Sequence, residues 1–165
     1  MRLIEQWRRY PTQTEIMDPP VIHRKDTLST MYRWRDKYQG RARSEAALGE
    51  LLFRLCRIYH KPGLSIRFNQ PETEYNPLTK SINLSNLSLV SALHELAHHL
   101  YGPSERQACR WSVWLFYKTY PEQFNHCRFE DHMLKTVQPS DDSHIPLTNH
   151  TNAPDNLPTP TGNTG

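Results

Sequence analysis

Residues 88–101, SLVSALHELAHHLY, decide how this chain is read. Leu89, Leu93, Leu96, Ala97 and Leu100 recur at three- and four-residue spacing, the pattern of a helix with one apolar face. Gly102 and Pro103 follow and predict its end. Inside the stretch, His94-Glu95-Leu96-Ala97-His98 has H-E-x-x-H spacing. Residues four apart on a helix share a face, one turn above the other. Two imidazoles so placed can bind one zinc ion, and Glu95 projects toward the same ion without needing to ligate it. Zinc lowers the pKa of its water to about 7, and a neighbouring carboxylate can take the proton and carry it to a leaving amine.

Downstream of the turn, Ser104 reads as an N-cap with Gln107 three residues on. A helix is predicted over 105–119, rich in aromatics (Trp111, Trp114, Phe116, Tyr117), with Pro121 ending it. Glu105 falls on its first position, just past a chain reversal, where its side chain can point back at the metal. An acid there also complements the positive end of the helix. Glu122 and His126 are the other candidates for a third ligand. His99 lies about 100° round the helix from His98; it faces elsewhere, toward substrate or a supporting contact.

Upstream, residues 44–60 carry Ala47, Leu48, Leu51, Leu52, Leu55, Ile58 and Tyr59 on one stripe, a second long helix stopped by Lys61-Pro62-Gly63. Residues 26–39 read as a shorter helix ending at Gly40. Alternation predicts strands over 64–68 and 80–84, with 69–79 as loop. Helix, strand, strand, helix, helix is an α+β order.

The segment Ala92-Leu93-His94-Glu95-Leu96-Ala97-His98-His99-Leu100 resembles the active-site helix of zincin metallopeptidases. Glu105-Arg106-Gln107-Ala108-Cys109-Arg110-Trp111 resembles the E-x-x-A-x-x-aromatic helix of the ImmA/IrrE group, whose glutamate is the third zinc ligand. The likeness covers about residues 45–125; SprT-like proteases are more distantly similar. It implies a small zincin-like domain, with the active-site helix packed on a short β-sheet, that hydrolyses peptide bonds in an intracellular protein. His94, His98 and Glu105 would hold Zn2+, and Glu95 would be general base and acid. It also implies an edge strand that pairs with substrate backbone, a role assigned to 80–84, so that Ser81, Ile82 and Asn83 line the cleft. Tyr75 and Tyr101 are candidates to stabilise an oxyanion. The metzincin pattern fails, because Tyr101 and Ser104 stand where a glycine and a third histidine would be. The small size and the tail suit a phage-like protein.

The 165 residues are 36% hydrophobic and 22% charged, with thirteen prolines and six glycines. This excludes collagen, a coiled-coil rod and a disulfide-dense scaffold. No run approaches the roughly 18 apolar residues of a membrane helix, so no membrane partner is expected. Cys56, Cys109 and Cys127 form no close pair, which predicts reduced thiols. With no signal-peptide pattern at the start, a cytoplasmic protein is expected. Charge is uneven: residues 1–61 carry a net +6 and residues 62–165 a net −3. Arg33, Trp34, Arg35, Lys37 and Tyr38, with Arg41 and Arg43, could hold nucleic acid, the basis of an SprT-like alternative acting on DNA-associated proteins. A non-catalytic metal-bound regulator is the third reading. The expected division is a basic helical segment at 1–43, the metallopeptidase domain at 44–137 and a disordered Pro/Thr/Asn-rich tail at 138–165.

Overall fold

The computed structural model describes residues 21–125, 127–130 and 133–136. The tail, the first twenty residues and His126, for which expectations are given above, lie outside them. The architecture is α+β: helices α1 (Arg24–Tyr38), α2 (Glu45–Ile58), α3 (Leu89–Tyr101), α4 (Glu105–Thr119) and α5 (Pro121–Asn125), with a small sheet of β1 (Ser65–Arg67), β2 (Glu74–Asn76) and β3 (Ser81–Asn83). A separate hairpin, β4 (Cys127–Glu130) and β5 (Met133–Thr136), follows.

Each long helix begins and ends for a local reason. Ser44 caps α2 by accepting from the Ala47 N–H at 3.1 Å. At its far end, His60 takes φ 52°, its N–H donates to Arg57 O, and the Lys61 N–H donates to Cys56 O. That is a Schellman stop with histidine in the position glycine usually takes. Ser88 and Ser104 cap α3 and α4 in the manner of Ser44. The apolar faces then meet. Leu48, Leu51, Leu52 and Leu55 of α2 join Leu89, Leu93 and Leu96 of α3 and Trp111, Trp114 and Leu115 of α4 in one buried cluster. Helix α1 adds Met31 and Trp34 to that cluster, and the Trp34 indole N–H donates to Ala47 O at 2.7 Å. Residue 43 is therefore not a boundary between two cores; α1 belongs to the domain that follows it.

The sheet order is β1-β3-β2, with β1 parallel and β2 antiparallel to β3. This corrects the expected edge. β3 is the central strand and hydrogen-bonds on both sides. Ser81 and Ile82 are buried, and Asn83 donates through its amide to Glu74. Ser81, Ile82 and Asn83 therefore cannot line a cleft or pair with an incoming strand; β2, read as loop, is the strand at that edge. Strand β2 packs against α3 and sets one wall above it.

Candidate metal centre

Helix α3 carries the H-E-x-x-H residues on the side turned toward the start of α4. His94 and His98 are largely buried, with ring centroids 5.0 Å apart. Glu105, on the first turn of α4, reaches back across the reversal. Its Oε2 lies 3.0 Å from His94 Nε2 and its Oε1 3.0 Å from His98 Nε2. One carboxylate thus bridges both imidazoles, and ligand atoms of all three residues lie within 4.8 Å of one another. These two nitrogens and a carboxylate are a donor set that zinc accepts while leaving a position open. Among the described residues, no other group of histidines, cysteines and acids could hold a metal ion.

The second ring nitrogen of each histidine is also held. His98 Nδ1 donates to Gly102 O at 2.9 Å, because a carbonyl can only accept. That bond fixes the tautomer that leaves Nε2 with a lone pair for a cation. His94 Nδ1 faces the Cys109 thiol at 3.8 Å. Burial pushes that thiol up to about 12, so it stays protonated. Burial also pulls His94 below the usual imidazole range, with the Glu105 carboxylate working the other way; a neutral ring is what metal ligation requires.

Gly102 makes the reversal possible. Its φ of 99° and ψ of −162° lie in a region essentially reserved for glycine. A Cβ added there meets nothing within 4 Å, so the cost of substitution is backbone strain and not a clash. Gly102→Ala is expected to lose about 1–3 kcal/mol of stability, read from the urea midpoint, and to weaken metal binding by displacing the carbonyl that holds His98. Gly49→Ala is the control: it lies inside α2 and its Cβ would make an ordinary contact with Phe68 at 3.9 Å, so no loss is expected.

Glu95 opens from the same helix onto a cleft of about 530 Å³ bordered by Tyr75, Pro77, His98, Gly102 and Glu105. Burial pushes its carboxyl up to about 7, and the nearby Glu105 charge adds to that. His98 and a hydrogen bond from the Tyr75 backbone N–H pull it down. A carboxyl poised near neutral pH both accepts and releases a proton readily.

The remaining candidates lie elsewhere. Glu122 sits on α5, beside a cleft shared with Arg35, Arg41 and Arg43, and takes no part in the histidine cluster. His99 turns away, its Nδ1 3.0 Å from the Tyr75 hydroxyl and its Nε2 3.1 Å from Lys61 O. Tyr101 donates to the Tyr59 hydroxyl at 3.2 Å, beneath α3 and not in the cleft. The Tyr59 hydroxyl also accepts from the Trp111 indole and donates to Ile22 O, so these aromatics are packing partners. The basic segment is used mostly by the fold. Trp34 is buried, Lys37 pairs with Glu50 at 2.9 Å, and Arg35 donates to Thr119 O and Asp36. Sequence reasoning missed the Gly102 carbonyl, the Cys109 thiol and the Tyr75 N–H. Only Cys109 carried a signal, since it follows Glu105 by one helical turn and so shares its face.

Comparison with protein families, with curated proteins and with solved structures finds no match to this chain. Among the described residues, no helix is long and apolar enough to cross a membrane. Among the described residues Cys56, Cys109 and Cys127 form no disulfide; the first two are buried and the third half-buried.

Proposed function

We propose that the chain is a zinc-dependent peptidase of the H-E-x-x-H type, similar in its site to the zincins of the ImmA/IrrE group and acting on a protein substrate. The observation that carries this reading is the convergence of His94 Nε2 and His98 Nε2 on the two oxygens of Glu105, with Glu95 on the same cleft. Zinc, when bound, polarises the scissile carbonyl and makes a water nucleophilic near neutral pH.

The chain's own residues supply the rest. His94, His98 and Glu105 hold the ion and leave a position open. Glu95 takes a proton from the attacking water and passes it to the amine nitrogen as the peptide bond breaks. A purely structural site has no use for a carboxyl at that point, which favours catalysis over a metal-bound scaffold. The Tyr75 hydroxyl is committed to His99 and is not the donor to a developing oxyanion.

Strand β2 supports a peptide substrate. It pairs with β3 on one side, and no described strand pairs with its other edge. An extended segment can add there through backbone hydrogen bonds. The β2–β3 turn is fixed by Asn76 Oδ1, which accepts from the Leu78 and Thr79 N–H groups. Leu78 is 93% exposed on that turn, beside Pro77 of the cleft, and gives a substrate an apolar contact. The test is cleavage of an unfolded protein probe by the zinc-loaded chain. Cleavage that stops on chelation and returns with zinc is expected; a zinc-loaded chain that cuts nothing while retaining its partner binding in Glu95→Gln would point to a regulator instead.

A further inference from the structure

We propose that Glu74 sets the substrate preference of the cleft: a peptide strand that adds to β2 is favoured when it carries a lysine or arginine opposite Glu74. The effect on cleavage rests on the peptidase reading; the effect on binding does not.

Alternation along β2 places the charge. Successive residues of a strand point to opposite faces. Tyr75 and its register partner Ile82 take the face turned to α3: the Tyr75 hydroxyl meets His99, and Ile82 is fully buried. Glu74 and its register partner Asn83 share the other face, where Asn83 Nδ2 donates to Glu74 Oε1 at 3.1 Å. That bond holds one carboxylate oxygen against the sheet. Among the described residues nothing pairs with the other oxygen, and Glu74 is exposed.

An added strand meets this carboxylate directly. Among the described strands, only β3 pairs with β2, so one edge of β2 is open to a peptide. The residue that comes to lie opposite Glu74 projects from the same face, with Cβ atoms about 4.5–5.5 Å apart. Opposite charges so placed attract, and like charges repel. The cleft reinforces the sign. Glu74, Glu95 and Glu105 border it, and no lysine or arginine does. A divalent ion at the histidines offsets Glu95 and Glu105 at most, which leaves Glu74 over. The chain as a whole carries a formal net charge of +3, so net charge alone would favour an acidic peptide. A preference for a basic one is therefore a signature of the cleft.

The probes are two fluorescent decapeptides, blocked at both ends, of alternating valine and lysine or alternating valine and glutamate. Period-two spacing puts all the charges on one face in any register. Binding to the metal-free full chain is read by anisotropy for wild type, Glu74→Gln, Glu74→Lys and Glu72→Gln. Glutamine at 74 still accepts from Asn83 and removes only the charge. Glu72 is exposed and does not border the cleft, so its variant makes the same change in net charge outside the site. Wild type and Glu72→Gln should bind the lysine peptide about two- to fivefold more tightly than the glutamate peptide. The ratio should fall to about one in Glu74→Gln and invert in Glu74→Lys. Zinc-loaded chain cutting a peptide mixture varied at every position should enrich lysine and arginine at one position, and Glu74→Lys should enrich aspartate and glutamate there, with the difference in KM. Equal binding of the two probes, no binding of either, or a lysine preference that survives Glu74→Gln or is lost equally in Glu72→Gln would overturn the proposal. A wild type that prefers the lysine probe but cuts nothing when zinc-loaded would end the peptidase reading and leave the pairing at Glu74 standing.

Discussion

Glu95→Gln is expected to lower the rate of peptide hydrolysis by about 10²–10⁴-fold, the usual worth of a positioned general acid–base, while the protein keeps its metal. Glutamine has the shape of the acid and can still accept from the Tyr75 N–H, but it cannot take a proton from water. The three ligand side chains do not include residue 95, so zinc content should be that of wild type. The combination matters more than the rate alone. Lost activity with lost zinc would mean that Glu95 holds the site together; retained activity would mean that the proton travels by another route. The variant should also flatten the acid limb of the pH profile, because the titrating carboxyl is gone.

Leu93→Ala is expected to cost about 2–5 kcal/mol, the range for emptying a buried leucine site. That is a large part of the roughly 5–15 kcal/mol that holds a domain folded. Leu93 is fully buried, directly before His94, and joins Leu96 in the cluster beneath the metal-binding face. Its loss leaves a cavity in the core cluster that α3 shares with the other helices. The measurement is urea unfolding of metal-free protein, in which no ligand binding masks the change. A drop below about 1 kcal/mol would mean that the core beneath the site is loosely packed.

The long elements were legible because their causes are local. The stripe and stop signals placed the helix over 105–119 where α4 lies, and the one over 88–101 within a residue of α3. The strands over 64–68 and 80–84 contain β1 and β3. Glu105 was reachable because a short turn leaves a first-turn side chain few places to go.

What failed was non-local. Glu74-Tyr75-Asn76 has no apolar alternation and lies between Pro71 and Pro77, so nothing in it reads as strand; pairing with β3 and the grip of Tyr75 on α3 make it one. Strand order is invisible to a local pattern, and the edge role that the zincin resemblance implied for 80–84 falls on the central strand. Pro121 ends α4 as expected, but the five-residue α5 that it opens has no signal of its own; proline at a helix's first position gives up only an N–H that had no partner there. The cation–aromatic run at 33–38 suits a nucleic-acid surface and an amphipathic helix docked on the domain alike; the structure buries Trp34 in the core, as the second requires.

Metal content tests the His94, His98 and Glu105 site most directly. Purified wild type, Glu122→Ala, His98→Ala and Glu105→Ala would be assayed side by side for zinc, iron and manganese per folded chain. About one zinc per chain in wild type and Glu122→Ala, and none in His98→Ala or Glu105→Ala, is the expected result. A well-folded wild type that takes up no stoichiometric metal would contradict it, and the His94, His98 and Glu105 cluster would then be a set of hydrogen bonds joining α3 to α4.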